Sequence, residues 1–404
     1  MKRSPMELAA LASAAVPGLA PTGVSTAPDD PADFESALLI DDSGKQWRVR
    51  APRHTEASMR LETELQVLRA FTPGVRAELP VLVPHVAGTV RIGDLRTFVY
   101  SHIEGSTRSL DELAAGGREL AREIGRAIAA VHELPRTLVS EADLPVYEAN
   151  EVRQRRLNEL DQAATTGRIP SELLRRWEHA LEDVSLWRFN PTVVHGDIHE
   201  DNLLLAAGRV CAVTGWTDLS VGDPADDFAW LAATQDADFA DEVHEAYVAA
   251  RSDAADDHLL RRAALAAEFA LAQWMVRGLA LGDDGMVDEA EEMMRSLAAD
   301  LAAEEAALAA EAETEDTTPG EGYGNRAWDD ENPVRDGAAS PSGNADGDAS
   351  DGDASERDAS DGDDSDGDDS DGDAYHGAAG EPPVRTLQGR ENLETSALPV
   401  VPRG

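Results

Sequence analysis

The chain has 404 residues, enough for one large domain or two lobes followed by an appended segment. Its 79 acidic residues against 35 basic ones give a formal charge of −44, so no basic stripe exists to neutralise phosphates, which argues against a nucleic-acid partner. One cysteine, Cys211, rules out an internal disulfide, and no run of about 18 uncharged apolar residues is present to cross a membrane.

Only Lys2 and Lys45 are lysines, and aromatic residues make up 5% of the chain. This acid-rich, lysine-poor composition suits a salt-loving, halophilic protein, because at molar salt a Debye length of roughly 3 Å screens self-repulsion. The opening MKRSPMELAALASAAVPGLAP has the basic start and apolar middle of a signal peptide. However, Ser4, Pro5 and Glu7 make a helix start, and a glutamate inside the apolar stretch disfavours export. Residues 1–30 are therefore expected to form an N-terminal helix and linker of a cytoplasmic protein, with Cys211 a small buried side chain.

Residues 36–53, SALLIDDSGKQWRVRAPR, predict a β-hairpin around the turn signal Asp-Ser-Gly. In the next segment, EASMRLETELQVLRAF, Met59, Leu61, Leu65, Leu68 and Phe71 recur at an approximately helical period. LPVLVPHVAG and LRTFVYSHIEG read as further strands, ending at Gly105. From there the text turns helical. SLDELAAGGRELAREIGRAIAAVHELP stops at Pro135, LNELDQAATTGRIPSELLRRWEHALEDV continues, and the stretches 258–282 and 284–312 close the fold. A strand-rich segment 31–105 followed by a helical body 106–310 predicts an α+β fold of two unlike lobes meeting at a cleft. Composition breaks near residue 311: from there to 404 stand 26 acids and 6 arginines, a net of −20. Such a segment cannot offset its ordering entropy and is expected to be a disordered acidic tail. Its Asp-Gly-Asp repeats lack the regular apolar position and the closing glutamate of calcium loops.

The densest ionisable chemistry is VVHGDIHEDNLLL, residues 193–205. By itself it fits a metal site, a catalytic loop or a solvated corner of an acidic protein. Val193-Val194 and Leu203 to Leu205 are short β-type runs, AAGR turns the chain, and VCAVT is a second strand. Asp197 and Asn202 thus lie on a loop entering a hairpin that residues 214–218 leave. The two loop ends are brought together, a suitable place for a base and for oxygen ligands to a divalent ion.

His195-Gly196-Asp197-Ile198-His199, then Asn202 and an apolar triplet, resembles the catalytic loop of the aminoglycoside phosphotransferase family, a small-molecule branch of the protein-kinase-like fold. VTGWTDLSVGDPADDFAWL resembles that family's next block, and its Trp-Thr-Asp, like WRVRAPR, is closest in wording to the macrolide phosphotransferase subgroup. The resemblance covers roughly residues 5–310. It implies a small β-rich N-lobe and a larger helical C-lobe that move the γ-phosphate of ATP or GTP, with Mg²⁺, to a hydroxyl of a small molecule. That acceptor would be a macrolide- or aminoglycoside-like compound or a metabolite; neither its identity nor an oligomeric state is written in a motif.

Carried across residue by residue, the resemblance makes Asp197 the base and Asn202 a magnesium ligand; Asp218, an acid the subgroup commonly has as well, is a metal candidate only by swinging in. His195 would mainly hold the loop, and His199 would touch phosphate or acceptor, or pack the loop. Arg50, in place of a more familiar lysine, would pair with Glu64, or with Glu62, to hold nucleotide phosphates. Residues 99–103, with Tyr100 and His102, would form the hinge beside the purine. Asp223 would anchor a turn and Asp227 cap the following helix, while Trp216, Trp230 and Trp274 fill the core.

One residue departs from the pattern. Gly215 stands where the family has the aspartate that is its principal metal ligand, and glycine offers no side-chain oxygen. The alternative is therefore a kinase-like pseudoenzyme that binds nucleotide or metabolite without efficient transfer. A metal hydrolase built on His195, Asp197 and His199 is the third reading, but the remaining histidines show no complementary ligand spacing.

Overall fold

Five strands open the fold: β1 (Pro21–Thr26), β2 (Phe34–Asp41), β3 (Gln46–Pro52), β4 (Val86–Ile92) and β5 (Leu95–Ser101). They form one antiparallel sheet in the order β1-β2-β3-β5-β4. The structure is a computed structural model describing residues 3–316. The expectation for the acidic repeats lies outside those residues.

The hairpin between β2 and β3 turns where predicted because Asp41 organises it: its carboxylate accepts from Ser43 N (2.9 Å), Lys45 N (2.9 Å) and Trp47 Nε1 (2.9 Å). Alternation then sorts β3 into two faces. Trp47, Val49 and Ala51 pack under helix α1 (Pro5–Ala15), which starts on a Ser4–Glu7 capping box. Arg48 and Arg50 point the other way. Residues 21–26, expected as linker, are instead the edge strand, where β-branched Val24 and Thr26 pair with Leu39 and Ala37. Helix α2 (Thr55–Ala70) buries Leu61, Leu65 and Leu68, but Met59 is 61% exposed. Met59 lies two residues before Leu61 and so on the opposite side of the helix.

After the short α3 (Pro73–Glu78) the chain reaches β4 through LPVLVP, whose two prolines prevent the continuous strand expected there. The larger lobe contains α4 (Leu110–Ala114), α5 (Arg118–His132), α6 (Arg136–Ser140), α7 (Ala149–Ala164) and α8 (Ser171–Glu182). Two small strand pairs follow. Strand β6 (Thr192–Val194) pairs with β9 (Ser220–Gly222), and between them β7 (Leu203–Ala206) and β8 (Arg209–Val213) form the predicted hairpin. Leu82, in the segment before β4, bridges to this hairpin: its N–H donates to Cys211 O (2.9 Å), and its carbonyl accepts from Val213 N (3.1 Å). The two lobes thus share backbone hydrogen bonds.

Helices α9 (Ala237–Ala250), α10 (Leu259–Leu281) and α11 (Asp284–Asp316) complete the described chain. Among the described residues α10 is the helix whose length and composition would suffice to cross a membrane. It carries the buried ionic residues Arg262 and Glu268, however. Arg262 donates to both oxygens of Asp223 (2.7 and 2.9 Å), and Glu268 accepts from Trp177 Nε1 (2.8 Å). Such paired charges anchor α10 in the protein core. α11 runs past the composition break at 311 because the Ala- and Glu-rich text there favours helix. Its part from Ala306 belongs to a separate unit.

Candidate active site

The loop after β6 is held from beneath. Asp227, wholly buried, accepts from His195 N (2.8 Å) and Gly196 N (2.8 Å), and shares a hydrogen bond with His132 Nε2 (2.9 Å). His132 Nδ1 in turn meets the Tyr247 hydroxyl at 2.9 Å. Asp227 is therefore the loop's anchor and not the expected helix cap. Burial opposes its ionisation, but the hydrogen bond and charge of His132, together with His195, outweigh it and lower its pKa. Asp223 does organise its turn, accepting from Ala225 N (2.9 Å), and is also the partner of Arg262.

His195 is fully buried. Its Nε2 donates to Thr214 O (3.0 Å), its Nδ1 accepts from Asp197 N (3.3 Å), and its ring meets Trp216 edge-on at 4.6 Å. Burial pushes its pKa down to about 4. These contacts make His195 a loop-holding residue.

Asp197 and Asn202 face each other across the loop. Asn202 Nδ2 donates to the Asp197 carbonyl (2.7 Å) and approaches its Oδ2 at 3.3 Å. Between them a 3-10 turn, Glu200–Asn202, is capped by His199, whose Nδ1 accepts from Asp201 N (3.3 Å). His199 Nε2 lies 3.8 Å from Asp197 Oδ2, so this histidine both packs the loop and borders the carboxylate.

Gly215 has φ +81° and ψ 39°, left-handed backbone. A Cβ there would meet Asn202 Oδ1 at 2.5 Å, so the Asn202 amide fills the space a side chain at 215 would take. Gly196 has φ +83°, and a Cβ on it would meet Asp218 O at 2.7 Å. The Trp216–Asp218 turn therefore packs directly against the loop bearing Asp197. Burial pushes the Asp218 carboxyl up to about 6, with the charge of Arg60 opposing. Among the described residues no group of three or more His, Cys, Asp or Glu could hold a metal ion unaided. The Asn202 amide oxygen and the Asp218 carboxylate are nonetheless hard donors, and a desolvated carboxyl gains from a neighbouring cation. Both are donor types that would suit a magnesium ion.

In the N-lobe, Arg50 Nε and Nη2 donate to the two oxygens of Asp29 (2.8 and 3.0 Å). Glu64, its expected partner, stands 3.9 Å from Arg50 Nη1 and takes its hydrogen bond from the Tyr100 hydroxyl (2.7 Å). Glu62 pairs with Arg96 at 3.6 Å. Tyr100 is buried inside the N-lobe, which removes it from the purine edge expected for it. His102 follows β5, half-buried, its N–H on Gln46 O (3.2 Å). Cys211, expected to be buried, is partly exposed because it borders the segment joining the lobes; its thiol donates to Glu104 O (3.3 Å) and Leu204 O (3.2 Å). Trp216 and Trp230 are core, and Trp274 packs at its margin. Sequence reasoning missed Asp29 and the His132–Asp227 pair as site residues. The Asp-Phe-Ala of the second motif block could have flagged Asp227, while Asp29 is one acid among many.

The sequence pattern of the phosphotransferase enzyme family, which includes the aminoglycoside phosphotransferases, matches residues 26–266, more than half of the chain. The chain belongs to that family. It is similar to the uncharacterised protein YcbJ of Bacillus subtilis strain 168, 26% identical over 207 residues that make up 48% of this chain. The chain spans 65% of that relative's length. Its fold is similar to the macrolide 2′-phosphotransferase MphH of Brachybacterium faecium, with a TM-score of 0.61 and 22% identity over 71% of this chain and 96% of that one. The GDP complex of aminoglycoside 2′-phosphotransferase-IIIa is equally similar in fold: TM-score 0.61, 17% identity, 74% of this chain and 99% of that one. This family member thus has the kinase-like fold of a β-sheet N-lobe and a helical C-lobe.

Proposed function

We propose that this phosphotransferase-family protein is a small-molecule kinase that moves the γ-phosphate of ATP or GTP to an acceptor hydroxyl in a salt-rich cytoplasm. The observation that carries this reading is the pairing of Asp197 with Asn202: a carboxylate and an amide 3.3 Å apart on one loop. Phosphoryl transfer asks the protein mainly for positioning and charge neutralisation. Asp197 orients the acceptor hydroxyl and takes its proton. Asn202 and Asp218 would hold magnesium, which when bound offsets phosphate charge. Arg50 grips phosphate oxygens from the N-lobe, and His199 steadies Asp197. The acceptor is a hydroxylated compound of the macrolide, aminoglycoside or metabolite kind. Support for that class comes from proteins of similar fold crystallised with GDP and kanamycin, or with streptomycin and ATP.

A second reading, a nucleotide- or metabolite-binding protein without efficient transfer, is favoured by Gly215 alone. The two are separated by incubating the full chain with labelled ATP or GTP, Mg²⁺ and a panel of hydroxylated compounds in molar potassium chloride. A product heavier by one phosphate is expected. Tight nucleotide binding with no phosphorylated product from any acceptor would leave the binding-protein reading in its place.

A further inference from the structure

Arg48 and Arg50 stand two residues apart on the same face of β3, and both end on one carboxylate. Arg50 meets the two oxygens of Asp29 as a planar fork on a fork. Arg48 Nη2 adds a contact to Asp29 Oδ2 at 3.3 Å and donates to Pro28 O at 2.5 Å. The Ser36 hydroxyl, on β2, donates to the same Oδ2, and the Phe34 ring lies under the Arg50 guanidinium, 4.1 Å from its centroid. Asp29 belongs to the connector 27–33 between β1 and β2, which carries Asp29, Asp30 and Asp33 and no glycine.

Charge completes the argument. Two arginines face Asp29, and Arg50 also stands 3.9 Å from Glu64, so two positive and two negative charges already meet in this corner of the N-lobe before any nucleotide arrives. A carboxylate and a phosphate satisfy a guanidinium in the same bidentate geometry. The best-aligned donors of Arg50 are therefore already engaged by an anion that belongs to the chain.

We propose that Asp29 is a tethered occupant of the phosphate site: the connector 27–33 closes over the β3 arginines, and a nucleotide polyphosphate binds by displacing its carboxylate. This rests on the nucleotide reading above. An internal competitor of this kind lowers apparent affinity by the fraction of molecules whose arginines are free. Burial works against the Asp29 charge, but Arg50 and Arg48 outweigh it and bring its pKa down to about 2, so protonation does not open the latch near neutral pH. The pair is half-buried, so salt screens it less than a fully exposed one. Competition by another polyanion is the remaining release.

The test is calorimetric titration of the full chain, as wild type, Asp29→Asn and Ser36→Ala, with ATP, GTP and inorganic triphosphate. Asp29→Asn is expected to lower Kd by about tenfold for all three ligands. Ser36→Ala, which removes only the hydroxyl that steadies Asp29, is expected to shift Kd in the same direction by a smaller factor, and decides the matter if Asp29→Asn does not fold. Nucleotide binding that is unchanged or weaker in the folded variants would overturn the latch and leave the nucleotide reading standing. Binding of no nucleotide to any of these proteins would overturn both.

Discussion

The Asn202 amide lies where a side chain on Gly215 would have to go: a Cβ there would sit 2.5 Å from Asn202 Oδ1. The two positions are therefore coupled, and restoring an aspartate at 215 is not a local change. Left-handed backbone costs a non-glycine residue about 1–2 kcal/mol, less for aspartate than for most. Gly215→Asp is expected to lower stability by about 1–2 kcal/mol. Asn202→Ala in the same chain should return part of it by vacating the space. Denaturant unfolding of the two single variants and the double variant checks this; strictly additive effects would contradict the coupling.

Asp227 takes three hydrogen bonds that hold the loop carrying Asp197. Asp227→Ala leaves the buried His195 N–H, the part-buried Gly196 N–H and His132 without their acceptor. A loss of about 3 kcal/mol or more is expected in guanidinium unfolding. A loss below about 1 kcal/mol would mean that the loop is held by other contacts.

His195 supplies a pH dependence. Its pKa falls from the ordinary 6.5 to about 4 in the folded chain because burial disfavours the imidazolium. Between those values the unfolded chain binds the extra proton, so stability is full above pH 6.5 and declines as pH falls toward 4. The contribution lost is about 3 kcal/mol. Urea midpoints for wild type and His195→Gln across that range should show a shallower pH slope in the variant. Equal slopes would rule out His195 as the titrating group.

Much of this was legible in the sequence because the signals were local. The Asp-Ser-Gly turn, the β7–β8 hairpin and the helix start at Ser4 each depend on residues within a few positions of one another. The meeting of Asp197, Asn202 and Gly215 was legible because the three stand at fixed spacing around that hairpin. What escaped was non-local. Asp29 reaches Arg50 across 21 positions, and Asp227 reaches His132 across 95. In a chain where acids are this common, no pattern singles out Asp29, and the Asp-Phe-Ala block that marks Asp227 does not name His132 as its partner. Tyr100 illustrates the same limit: strand alternation turns its ring inward to Glu64, and the sequence does not say which face of β5 is covered.

Whether the Asp197 carboxylate takes the acceptor's proton is decided by comparing wild type and Asp197→Ala in one transfer assay, with nucleotide Kd measured on the same samples. The rate should fall by about 10²- to 10⁴-fold while Kd stays within about twofold. Turnover retained within about tenfold of wild type would contradict the assignment of Asp197 as base.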